Sequence, residues 1–92
     1  MIYKITNYTR RRAREIGVTV KPSTNKTKKI DVYKKGVKIA AVGANGMNDY
    51  PTYTKLRGIK YAKTRRRLYK MRHEKDRTKK WTNGWLADQL LW

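Results

Sequence analysis

The sequence predicts a small α+β protein with a central β-hairpin over about residues 29–43, a basic helix before it and two to three helices after it. Three observations predict this class. At 92 residues the chain has the size of one domain, so we expect a single small basic domain over 1–92. Apolar residues alternate with polar ones on both sides of a Lys-Lys-Gly sequence, as in a hairpin. The second half instead carries apolar and aromatic residues at helical spacing.

The basic helix before the hairpin is predicted from Tyr8 to Ile16. Thr9 is expected as its N-cap, and Gly17 as the left-handed residue that ends it. The β-favouring residues 18–20 follow, and 22–29 have the composition of a loop.

The predicted hairpin has its turn at 34–36 and one buried face. Four apolar side chains are expected on that face: Ile30, Val32, Ile39 and Ala41. Asp31 and Lys38 are expected on the opposite face, because successive side chains of a strand point to opposite sides of the sheet.

Helices are predicted in the second half of the chain. Pro51 suits the first turn of a short helix that Gly58 ends. The longest periodic segment, 59–77, predicts one continuous helix, in which Lys70 and Glu74 are spaced as an i,i+4 ion pair. Asn83 is expected to cap a final short helix that runs to the C-terminal residue.

Charge and composition exclude several classes of protein. The chain has 25 Lys and Arg against six Asp and Glu, a formal net charge of +19, and no cysteine. Without cysteine there is no disulfide framework, thiolate metal site or cysteine nucleophile. No apolar run is long enough to span a membrane, and no signal-peptide core is present. Because this much positive charge repels itself, we expect an acidic partner in an intracellular or virion-interior setting.

Two arginine-rich clusters are the predicted polyanion-binding residues. They are Arg10, Arg11, Arg12, Arg14, Lys63, Arg65, Arg66, Arg67, Lys70 and Arg72. Arginine suits bidentate contacts to phosphate, and the clusters are interleaved with tyrosines. The sequence has no known base-reading module, so contact with a DNA or RNA phosphate backbone should be independent of base sequence.

Residues 81–92 form a chemically different segment, with Asp88 as their single charged side chain. We expect this segment to dock either onto the body of the protein or onto a neighbouring molecule. Its docking residues are Trp81, Trp85, Leu86, Leu90, Leu91 and Trp92.

The motifs that carry chemistry are weak. His73-Glu74 matches half of a zinc-binding HExxH motif, but Arg77 occupies the last position. One histidine and no cysteine do not build a zinc site. The 43–46 segment matches a GxxG loop but follows a strand, which favours a turn. We therefore expect no catalytic residue, no metal and no cofactor, and predict that the protein is not an enzyme.

The first seven residues, MIYKITN, are similar to the opening of a GIY-YIG nuclease domain. No second strand of that type follows at the expected distance, so a degenerate nuclease is a remote alternative.

Three sequence blocks carry a further resemblance: DYPTY at 49–53, RHEKDR at 72–77 and ADQLLW at 87–92. With them, most of the chain resembles a family of short basic proteins of large nucleocytoplasmic DNA viruses, including algal chloroviruses. The resemblance implies a virion protein, present in the host cytoplasm or nucleus during assembly. It implies a minor capsid protein that binds acidic surfaces of viral capsid proteins or the genome. The alternative is a sequence-independent nucleic-acid-binding protein packaged with the genome.

Overall fold

The computed structural model describes residues 3–92 and confirms the α+β fold class. A helix precedes a three-stranded antiparallel sheet, and four helices follow it within the described residues. The contacts group the chain into two compact units, of which the first ends at Met47 and the second begins at Asn48. The single domain over 1–92 stays a prediction. Among residues 3–92, no helix combines the length and the apolar composition needed to cross a membrane.

The first unit begins with helix α1, Asn7–Ile16. The predicted end is confirmed, because Gly17 adopts a left-handed conformation with φ 80°. The predicted N-cap is wrong. The extended residue is Thr6, whose side-chain oxygen accepts the backbone N–H of Thr9 at 3.2 Å. Thr9 lies inside the first turn and is fully buried.

The sheet follows in the order β1 (Thr19–Pro22), β2 (Lys28–Lys34) and β3 (Val37–Ala44). β2 and β3 are the predicted hairpin. Lys35 and Gly36 form its two-residue turn with φ 52° and 79°. Positive φ at both central residues is the property of the type I′ turn, whose twist matches that of the flanking strands.

The predicted buried face of β3 is wrong by one residue. Ala40 and Val42 are buried, whereas Ile39 is 40% exposed. A two-residue turn with regular pairing would place Ile39 opposite Val32. An irregularity between Val32 and Tyr33 instead pairs Val32 with Ala40. A one-residue shift moves every following side chain to the other face.

Asp31 lies on the opposite face of β2, as predicted, and is nevertheless 1% exposed. Its carboxylate accepts hydrogen bonds from the Ser23 hydroxyl at 2.6 Å and the Thr24 N–H at 3.2 Å. The Lys38 ammonium lies 3.3 Å away. Burial alone would raise the pKa of Asp31. These hydrogen bonds and the Lys38 charge outweigh burial and hold the pKa below its ordinary value of 3.8.

The second unit consists of helices α2 to α5. They are α2 (Tyr50–Arg57), α3 (Ile59–Arg72), α4 (Glu74–Arg77) and α5 (Asn83–Leu91). Asp49 caps α2 by accepting the Thr52 N–H at 3.0 Å, and Gly58 ends it with φ 89°. The buried apolar residues of the second unit are Tyr50, Ala62, Trp85, Leu86, Leu90 and Leu91.

Three predictions about these helices are corrected. The helix over 59–77 is interrupted at His73, which has φ −106° and ψ 20°. Asn83 is not the cap of α5, because the Thr82 hydroxyl oxygen accepts the Trp85 N–H at 3.3 Å. The Lys70 ammonium does not pair with a residue of its own helix but binds Asp88 of α5 at 2.8 Å.

Candidate nucleic-acid interface

The second unit has an open groove of about 610 Å³ along the C-terminal part of α3 and α4. It is lined by Lys63, Arg66, Arg67, Lys70, Met71, Glu74 and Arg77. Five of these seven side chains are cationic and one is a carboxylate. The groove therefore carries an excess of positive charge, which suits a polyanion.

Helical spacing places the groove residues of α3 on one face of that helix. Lys63, Arg67 and Lys70 lie four and then three residues apart, so successive cations are about one helical turn, or about 5.4 Å, apart along the axis. Beyond the break at His73, Glu74 and Arg77 of α4 continue this spacing. The Arg77 Nε donates to the Lys70 carbonyl at 3.1 Å. That carbonyl belongs to the last turn of α3, where a cation is favourable.

Lys70 has a second role in the groove. Its ammonium lies 2.8 Å from a carboxylate oxygen of Asp88, which is 4% exposed, and so ties α3 to α5. This partner neutralises much of its charge. The strongest contacts to phosphate are therefore expected from the groove arginines and Lys63.

Aromatic rings hold several arginines in place. The guanidinium of Arg66 lies 4.1 Å from the centre of the Tyr50 ring, and that of Arg57 lies 4.4 Å from the centre of Tyr61. Contact with a ring face attracts the cation and leaves its N–H groups directed sideways. A guanidinium held in this way loses less conformational entropy when it binds phosphate.

Two of the polyanion-binding residues predicted in the second unit do not line the groove. Arg65 lies over Tyr53 at 5.4 Å, and its Nε is buried with no hydrogen-bond partner among the described residues. Arg72 is exposed in the last turn of α3.

The predicted cluster on α1 belongs to the first unit. Arg10 and Arg14 are exposed. The Arg11 guanidinium lies 5.3 Å from the centre of the Tyr8 ring, and Arg12 binds Glu15 at 2.8 Å. Three arginines of α1 thus present charge without an ion pair to Glu15.

The apolar C-terminal segment mostly folds inward. Trp85, Leu86, Leu90 and Leu91 are buried in the isolated chain. Trp92 stacks on Tyr69 with ring centres 4.3 Å apart and 8° between the planes. Burial, followed by the negative charge of Asp88, raises the pKa of Tyr69 to about 12. Trp81 differs from the others, because it is 40% exposed.

Met71, Glu74 and Arg77 are the groove residues that the sequence did not indicate. The signal that could have found Glu74 and Arg77 is helical spacing, because residues 70, 74 and 77 lie four and then three residues apart, as residues 63, 67 and 70 do. Within residues 3–92, no three histidine, cysteine, aspartate or glutamate side chains lie close enough together to hold a metal ion.

Comparisons with models of protein families, with curated proteins and with solved structures found no match. The resemblance to viral basic proteins therefore stays a prediction.

Proposed function

We propose that the protein binds nucleic acid through the phosphate backbone, without reading its base sequence and without catalysing a reaction. The observation that carries this proposal is the groove of the second unit, where five cationic side chains surround about 610 Å³ of open space. The predicted resemblance adds the setting, which is a protein packaged with a viral genome.

Two properties of the groove support backbone binding. Its arginines provide planar sets of N–H donors that match phosphate oxygens, whereas Glu74 is the single acceptor-only side chain in its lining. Base recognition uses hydrogen-bond donors and acceptors on a protein element that is inserted into the major or minor groove of the DNA duplex, where they meet the base edges. A row of cations at one-turn spacing instead follows a chain of phosphates.

A salt titration of DNA binding tests the proposal. Each phosphate neutralised contributes about 0.9 to the slope of log K against log salt on duplex DNA. The variant Lys63→Gln/Arg67→Gln should bind more weakly, with the slope reduced by up to about 1.8. Lys60→Gln removes one exposed charge from the same helix outside the groove and is the control.

Binding should be nearly the same for unrelated DNA sequences. A double variant that keeps the wild-type slope would contradict the assignment of the groove. Absence of binding by the wild-type protein at about 50 mM salt, where such contacts are strong, would contradict nucleic-acid binding altogether.

The non-enzymatic part of the proposal has its own test. His73, Glu74 and Asp76 are candidate acid–base groups that lie close together in the sequence. His73 Nδ1 lies 3.7 Å from the Asp76 carboxylate at the surface. We expect no DNA or RNA cleavage in the presence of Mg²⁺ or Mn²⁺. Cleavage that is lost in His73→Ala or Glu74→Ala would show that the protein is a nuclease.

We propose a minor capsid protein as the second candidate function. It is supported by exposed apolar side chains on α3, namely Ile59 at 49%, Leu68 at 40% and Met71 at 66% exposure. A protein partner with an acidic surface would cover them. Cross-linking of purified virions should then join Lys79 to the major capsid protein. Cross-links only to genome-associated proteins, with release by nuclease, would exclude the capsid role and favour the first proposal.

A further inference from the structure

Trp81 is the most exposed tryptophan of the chain and has an unusual backbone conformation. Its side chain is 40% exposed, and its φ is 72°. Positive φ is uncommon for residues other than glycine, and for a bulky side chain it marks a constrained position. Such positions persist where the surrounding structure fixes them, and they are concentrated at functional sites.

The loop that carries Trp81 is fixed by Thr82. The Thr82 hydroxyl donates to the Lys79 carbonyl at 2.7 Å, and the Thr82 N–H donates to the same carbonyl at 3.3 Å. The same hydroxyl oxygen accepts the Trp85 N–H at the start of α5. The Trp81 indole packs against Trp85, with ring centres 5.0 Å apart and 53° between the planes. The indole is therefore held at the surface by a defined turn.

The segment that immediately precedes Trp81 in the chain is cationic. Lys79 and Lys80 precede it in the chain and are exposed, and Arg77 of the groove lies four residues before it. An indole preceded by cations in the chain matches a ligand that has flat rings joined by negative charges. An unpaired stretch of nucleic acid has this chemistry, because every base offers a π-face and every linkage carries a phosphate.

We propose that Trp81 stacks on an unpaired base, so that the preferred ligand is single-stranded nucleic acid. This inference rests on the proposed function and names its substrate class. In a duplex the bases are stacked on each other, and their faces are closed to a surface indole. Lys79 and Lys80 then contact the phosphates beside the stacked base.

The test uses three probes and the variant Trp81→Asn. Asparagine tolerates the left-handed conformation, so the variant keeps the turn and removes the ring. The probes are a thymine oligonucleotide, an equally long strand in which every base is missing, and a duplex of the same length. Thermal unfolding of the variant checks that it folds, and Leu56→Ala, which truncates another exposed apolar side chain, is the control.

The wild-type protein should bind the thymine strand about 5-fold or more tightly than the strand without bases, because stacking of one base on an aromatic ring changes the affinity by at least this factor. Trp81→Asn should lose the same factor on the thymine strand only. Equal wild-type affinity for the two strands, or an unchanged affinity of Trp81→Asn, would overturn the stacking role while leaving backbone binding intact. Failure to bind any of the three probes would overturn the proposed function and the stacking role together.

Discussion

At the scale of single residues, Asp31 shows how a buried charge is made tolerable in a small basic protein. Its carboxylate is removed from water but receives hydrogen bonds from Ser23 and Thr24 and faces the Lys38 ammonium. These contacts favour the charged form, so the pKa of Asp31 in the folded state lies below its ordinary value of 3.8. The loop after β1 is thereby fastened to β2.

The lowered pKa predicts a pH dependence of stability. A carboxylate with a lowered folded-state pKa contributes stability above its unfolded-state pKa, and this contribution disappears as the pH falls through the folded-state pKa. Wild type should therefore be more stable than Asp31→Asn at pH 7, and the difference should shrink as the pH falls below 3.8. Urea unfolding followed by circular dichroism at each pH measures this difference.

Glu15→Gln is the matched control, because its ion pair with Arg12 is 51% exposed on the glutamate side. Exposed pairs contribute about 0–1 kcal/mol, so this variant should change little. A difference between wild type and Asp31→Asn that stays constant down to pH 2 would contradict the role assigned to the carboxylate.

Trp81 illustrates the cost of a left-handed backbone conformation at one residue. A non-glycine residue in the left-handed region costs about 1–3 kcal/mol unless its surroundings compensate. Here, the two hydrogen bonds to the Lys79 carbonyl and the contact with Trp85 are the compensation.

At the scale of elements, the second unit depends on the close approach of α5 to α4. A Cβ atom placed on Gly84 would lie 2.5 Å from the Asp76 carbonyl oxygen and 2.9 Å from its carbon. Real Cβ atoms do not approach backbone this closely. Glycine at this position allows the first turn of α5 to rest against α4 and keeps the short helix α4 in place beside the groove.

Gly84→Ala should therefore destabilise the protein by about 1–3 kcal/mol, the usual cost of overpacking a well-packed contact. Alanine is favoured over glycine in helices by up to about 1 kcal/mol. A decrease in the free energy of unfolding therefore indicates that the packing effect dominates, and an increase indicates that helix propensity dominates. Urea unfolding of the variant measures this change. A variant as stable as wild type, or more stable, would show that Gly84 of α5 is not closely packed against the Asp76 backbone of α4.

Much of the secondary structure could be predicted from local sequence. The turn at 34–36 is set by Lys35 and Gly36, and Gly58 separates α2 from α3 at the predicted place. Which residues of β3 are buried could not be predicted. The irregularity beside Tyr33 that decides this is a property of strand pairing and leaves no signal in either strand alone.

The same limit applies to the candidate site. The stretch around Arg66 was recognisable by its charge. The bond from Arg77 to the Lys70 carbonyl leaves no signal in the sequence. The neutralisation of Lys70 depends on Asp88, which is 18 residues further along the chain. Contacts of this kind arise from tertiary packing, which local propensity does not describe.

At the scale of the whole molecule, the net charge of +19 opposes folding through self-repulsion. Added salt screens this repulsion over about 10 Å at 0.1 M. The midpoint of thermal unfolding should therefore rise between about 20 and 200 mM NaCl, by about 4–8 °C for each kcal/mol of repulsion removed in a domain of this size.

The variant Lys63→Gln/Arg67→Gln has two fewer positive charges, so its midpoint should be higher at low salt and should change less with added NaCl. A midpoint that is independent of salt in both proteins would show that self-repulsion is not a significant term in the stability of this chain.

We propose that nucleic acid binds in the groove of the second unit. NMR of the arginine side chains during titration with an unlabelled oligonucleotide tests it directly, because each Nε–H group gives its own signal. We predict that the signals of Arg66, Arg67 and Arg77 shift together and most strongly, while that of Arg12, already paired with Glu15, shifts little. Shifts confined to the arginines of α1, with the groove arginines unchanged at saturating oligonucleotide, would contradict the claim.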